Sequence, residues 1–80
     1  MERLNETELL DFIRKNLIKD KKISISKTTL LFKERILDSM SILDIIGFIE
    51  NRINRKIRDE ELIMNNFKNV KSIIEVFSNG

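Results

Sequence analysis

Near the N-terminus, Leu9, Leu10, Ile13 and Leu17 recur at the i, i+1, i+4 and i+8 spacing of one helix face. Asn5 stands three residues before Glu8, as in a capping box, and together these signals predict a helix from about Glu6 to Lys19. Beyond Asp20 the pattern breaks. Ile23-Ser24-Ile25-Ser26 alternates like a strand, but no second such run exists to pair with it, and a lone strand cannot satisfy its backbone. The stretch up to Arg35 is therefore expected to be a long loop, pinned by Ile25, Leu30, Leu31 and Ile36. A loop of roughly 15 residues implies either function or packing by its own side chains.

A second helix is expected to open at Asp38 or Ser39, both good N-caps, with Leu43, Ile46, Ile49 and Ile53 as its core face. Gly47 sits inside it at a cost of about 1 kcal/mol relative to alanine. Asp59-Glu60-Glu61-Leu62-Ile63-Met64 places acidic residues at the start of a short third helix, where the macrodipole favours them. A last helix follows Asn66-Phe67-Lys68-Asn69, with Asn69 as its cap and Val70, Ile73, Ile74 and Phe77 as its apolar stripe. The expected fold is all-α: a small four-helix bundle of three main helices and a short third, with a long structured loop between helices 1 and 2. One domain over residues 1–80 is expected, since no linker or repeat divides the chain.

Composition removes most chemistry. The 80 residues include no cysteine and no histidine, so disulfides, thiolate metal sites and the commonest general base are absent. No titratable pair is placed for acid–base or nucleophilic work, so the chain is expected to be no enzyme, with neither catalytic residues nor a metal site. No apolar run is long enough to cross a bilayer and the first residues lack a secretory pattern. These observations lead to an expectation of no membrane role and a cytoplasmic location. The net charge of +2 is unevenly placed, with Lys19, Lys21, Lys22, Lys27, Lys33 and Arg35 concentrated in the first loop. A basic helical domain raises nucleic-acid binding as a class. No helix carries several Arg or Lys on one exposed face, however, so no nucleic-acid partner is expected. Arg52, Arg55, Lys56 and Arg58 read most simply as the solvated cationic end of the second helix.

Residues 36–77 carry the specific signal. Asp38-Ser39-Met40 opens the second helix after Leu37, and Asp44-Ile45, Ile49-Glu50 and Ile53 follow in register. Ile57 precedes Asp59-Glu60-Glu61, and Asn66-Phe67 precedes Val70 and Ile73 without a gap. In these positions the chain resembles the acyl and peptidyl carrier protein family, whose second helix opens on Asp-Ser-Leu or Asp-Ser-Met. The resemblance implies a stand-alone, monomeric carrier that bears 4'-phosphopantetheine, taken from coenzyme A, on the Ser39 hydroxyl. The same resemblance implies that it shuttles thioester-bound acyl or aminoacyl groups between enzymes.

A phosphopantetheinyl transferase with Mg²⁺ performs the attachment in that family, and a loading enzyme and downstream synthases or transferases complete the partner set. Asp38 is carried over as the acidic neighbour that the transferase and its metal read. Met40, Asp44 and Glu50 are carried over as partner contacts. The free N–H groups and positive dipole end of the helix also suit an added phosphate. The aliphatic stripe of the second helix is implied to border a cavity for an acyl chain.

Carriers of housekeeping fatty acid synthesis are strongly acidic along the second helix. Here Asn51 and Arg52 stand where acidic residues are usual, and the first loop is basic. A specialised polyketide, nonribosomal peptide or aminoacyl pathway is therefore expected, with housekeeping fatty acid synthesis and an arm-less helical interaction module as the alternatives.

Overall fold

Asn5 starts the first helix as its side chain implies: the amide oxygen accepts the Glu8 N–H at 3.1 Å. The computed structural model describes residues 4–20 and 22–78. Among these residues α1 (Glu6–Asn16), α2 (Ser41–Ile53), α3 (Met64–Phe67) and α4 (Val70–Phe77) are α-helical, a 3₁₀ turn covers Asp59–Glu61, and there is no strand. The molecule is a small helical bundle. Its radius of gyration is 11.8 Å, close to the roughly 12 Å of a compact domain of this length.

One apolar core joins all four helices and the segment between α1 and α2. Leu9 and Ile13 enter it from α1, Ile45 and Ile49 from α2, Phe67 from α3, and Val70, Ile73 and Phe77 from α4. Ile18, Ile25, Leu31 and Leu37 enter from the connecting segment. Of the four expected loop anchors, Ile25 and Leu31 are buried and Leu30 and Ile36 are half-buried. Arg14 of α1 reaches the same segment, with Nη2 donating to the Ile25 carbonyl at 3.3 Å.

Three features differ from expectation. α1 ends at Asn16 instead of near Lys19, because the Leu17 and Ile18 N–H groups both close onto the Ile13 carbonyl, at 2.9 and 3.0 Å. The short helix expected over residues 59–64 is split, with a 3₁₀ turn at Asp59–Glu61 and α3 beginning only at Met64. Leu62 and Ile63 between them are exposed.

The third difference concerns α2, where Leu43 is 68% exposed, although it was expected in the core. Ile42, Leu43, Ile45, Ile46, Phe48 and Ile49 make this helix apolar on nearly every side, so spacing alone does not single out a face. Packing selects Ile45 and Ile49, flanked by half-buried Ile46 and Ile53. Leu43 lies two residues, about 200° of helical rotation, from Ile45.

The cationic end of α2 is not simply solvated. Arg52 pairs with Glu8 of α1 at 2.7 Å and lies 4.8 Å over the Phe48 ring, which itself stacks on Phe12 at 4.5 Å between centroids. Arg55 grips Glu61 with both terminal guanidinium nitrogens, Nη1 and Nη2 donating to its two carboxylate oxygens at 3.0 Å each. The Arg58 N–H also donates to Glu61, at 2.9 Å. These bonds, with that of Arg55 the largest influence, hold the Glu61 carboxyl down at about 2.

An unfolded glutamate titrates at about 4.3. The ionised form of Glu61 therefore stabilises the fold above that pH, and its contribution is lost as pH falls from there toward about 2. Glu61→Gln is expected to lower stability at neutral pH and to flatten the acid limb of the stability–pH curve across that window. Urea unfolding at a series of pH values measures both effects.

Candidate functional site

The approach to Ser39 is set by a reversal at residues 31–37. Arg35 has φ 61°, with its N–H bonded to the Phe32 carbonyl at 3.1 Å and the Ile36 N–H to the Leu31 carbonyl at 3.0 Å. That pair of bonds is a Schellman closure, in which the left-handed position is normally glycine. An arginine there costs on the order of 1 kcal/mol. The reversal drives Leu37 into the core, 4% exposed, and leaves Asp38, Ser39 and Met40 in solvent.

Regular α2 begins at Ser41, later than the expected start at Asp38 or Ser39. A 3₁₀-type turn precedes it, closed by the Ser41 N–H donating to the Asp38 carbonyl at 3.1 Å. Asp38 caps this turn. Its Oδ1 accepts the N–H groups of Met40 and Ser41 at 3.1 and 3.2 Å, and the Ser41 hydroxyl at 3.3 Å. Two donors expected to be free for an added phosphate are thus occupied by Asp38. The helix dipole remains as the local attraction for an anion.

With capping assigned to Asp38, the exposed Ser39 hydroxyl has no hydrogen-bonding partner among the described residues. The neighbouring Ser41 hydroxyl is half-buried and tied to Asp38. Of the two serines at this helix start, Ser39 is the one presented outward and uncommitted.

Met40, Leu43 and Gly47 follow at i, i+3 and i+7 on the outer side of α2, with Asp44 beside them. Met40 is 72% exposed, and Leu43 and Gly47 are exposed too. A β-carbon added at Gly47 would meet nothing within 4 Å, so no internal contact requires the glycine. Gly47→Ala should raise stability by about 1 kcal/mol in chemical denaturation.

Asp44 is exposed near Ser39, whereas Glu50 is turned inward. The Glu50 carboxylate accepts the Ile57 N–H at 2.9 Å and has Lys56 at 3.9 Å, which ties the chain after α2 back onto that helix. Asp38, Ser39, Met40 and Asp44 therefore gather at one end of α2, while Glu50 serves an internal contact at the other.

A cleft of about 440 Å³, lined by Asp38 and Ser41 but not by Ser39, opens between the end of α1 and the start of α2. Leu17, Ile23 and Ile36 give it apolar wall, and Lys19, Asp38 and Asp44 line it with charge. The family resemblance implied instead that Leu43, Ile46, Ile49 and Ile53 border a cavity. With Leu43 outward and Ile49 sealed in the core, those four do not share a face. Residues 16–20, at and beyond the end of α1, line one side of the cleft.

Among the described residues no helix is long and apolar enough to cross a membrane. No family model matches the chain, and no curated protein matches it.

Proposed function

We propose that the chain is a carrier protein that bears 4'-phosphopantetheine on Ser39 and moves thioester-bound acyl or aminoacyl groups between enzymes. The observation that carries this reading is the Ser39 hydroxyl, exposed and without a hydrogen-bonding partner among the described residues, beside an aspartate that has taken over the capping. The ungapped agreement of residues 36–77 with the carrier pattern supports it, as does the small helical bundle.

In the attachment step a new bond forms between Ser39 Oγ and the pantetheine-side phosphorus of coenzyme A. The pyrophosphate P–O bond breaks, adenosine 3',5'-bisphosphate leaves, and the serine proton passes to a base of the phosphopantetheinyl transferase. The chain's own part is to present the hydroxyl, hold the turn with Asp38 and offer an acidic side chain to the transferase and its Mg²⁺. The arm supplies the thiol that a cysteine-free chain lacks. Met40, Leu43 and Asp44 form the contact face around it.

The pathway is proposed to be a specialised one. Asp38 and Asp44 are the exposed acids near the arm, and Glu50 is engaged internally, which leaves little negative field to steer the chain onto basic docking patches. Labelling with fluorescently tagged coenzyme A and a broad-specificity transferase tests the attachment. The protein band should become fluorescent, and an unlabelled band would overturn the reading.

A further inference from the structure

The basic residues of the first connecting segment do not act as one patch, because the fold sends part of them to a different face. The Leu31 N–H donates to the Lys68 carbonyl at 3.0 Å, and the Lys71 N–H donates to the Lys27 carbonyl at 2.9 Å. These two bonds lay residues 27–33 along the junction of α3 and α4. They bring together Lys27 and Lys33 from one part of the sequence and Lys68 and Lys71 from another. All four side chains are exposed, and among the described residues none enters an ion pair. Arg52, Arg55, Lys56 and Arg58 at the far end of α2, by contrast, all have carboxylate partners.

Between Lys33 and Lys68 runs a groove of about 380 Å³ whose walls are Leu30, Phe32 and Met64. Met64 is 53% exposed, as is its neighbour Ile63. Neither side chain is needed to seal the core. Solvated lysines flanking an apolar groove are complementary to a segment that carries apolar anchors between carboxylates.

We infer that this groove is a docking site for a short acidic segment of a partner protein, with apolar side chains seated on Leu30, Phe32 and Met64 and carboxylates meeting Lys33 and Lys68. Lys27 and Lys71 extend the positive field beyond the groove and steer the approach. The concave shape favours an occupant that protrudes, which a flat bilayer surface does not, and the apolar walls have no counterpart in a phosphate backbone. The site is separate from Ser39 in sequence and composition, and it operates whether or not an arm is attached there.

The test is a titration of the isotope-labelled full chain with a synthetic helical peptide of leucines flanked by glutamates, followed by NMR. Its lysine-substituted counterpart, an unrelated DNA duplex and anionic lipid vesicles serve as the other arms. Perturbations should concentrate at Leu30, Phe32, Lys33, Met64 and Lys68, leave Ser39 to Gly47 unmoved, and weaken with salt. The double variant K33E/K68E should bind the peptide roughly tenfold more weakly. Met64→Ser should also weaken it while leaving the thermal melt intact. Equal binding of the basic peptide, stronger binding of DNA or vesicles, perturbations elsewhere, or unchanged affinity in K33E/K68E would each overturn the proposal.

Discussion

Phe67→Ala should remove a large share of the protein's folding stability and move its urea midpoint sharply downward. Phe67 is 1% exposed and tilts against Phe77 at 5.5 Å between ring centroids. It is the only buried residue of α3, a helix of four residues that is far too short to form without tertiary support. Removing the ring costs about 3–5 kcal/mol, against a total stability of roughly 4–12 kcal/mol for a chain of this length. The loss spreads, because the Lys68 carbonyl next to Phe67 holds the Leu31 N–H and with it the 27–33 segment. Far-UV circular dichroism and urea unfolding measure the effect. Leu43→Ala provides the contrast: with its side chain in solvent, the change should stay within about 0.5 kcal/mol of the parent. A large destabilisation by Leu43→Ala would return that residue to the core and contradict the observed face of α2.

Ser39→Ala should abolish phosphopantetheine attachment while leaving the fold untouched. Were Ser39 a helix cap, its loss would cost about 1 kcal/mol. Because Asp38 makes the capping bonds, the expected change in stability is within about 0.5 kcal/mol. Ser41→Ala reverses the pattern. It removes a hydroxyl bonded to Asp38, so stability should fall slightly and attachment should persist. Side-by-side thermal melts and transferase labelling of the two variants separate a structural serine from an acceptor serine.

Much of this was legible before the fold was known. Asn5 and Asn69 cap their helices as their positions suggested, each accepting from the third residue on. Of the stripe Val70, Ile73, Ile74 and Phe77, all are buried except Ile74, which is half-buried, because a clean amphipathic pattern leaves only one face to bury. At Leu43 the expected and observed faces of α2 differ for the opposite reason, since so many apolar residues allow several faces and only packing chooses among them.

The turn before α2 was legible as a helix start but not as a division of labour between Asp38 and Ser39. Both residues suit a cap, and only the reversal through Arg35, made without the usual glycine, decides which side chain turns back. The ion pairs of Arg52 and Arg55 were hidden for a related reason. Their partners Glu8 and Glu61 lie on other elements, and charge spacing within one helix carries no information about them.

The central claim is that Ser39 accepts the arm. Its most direct measurement is the intact mass of the full chain after incubation with coenzyme A, Mg²⁺ and a phosphopantetheinyl transferase, followed by fragmentation to locate any added group. The account predicts one added phosphopantetheine, placed on Ser39 and absent from Ser39→Ala. No gain in mass, or a gain that persists in Ser39→Ala, would contradict it.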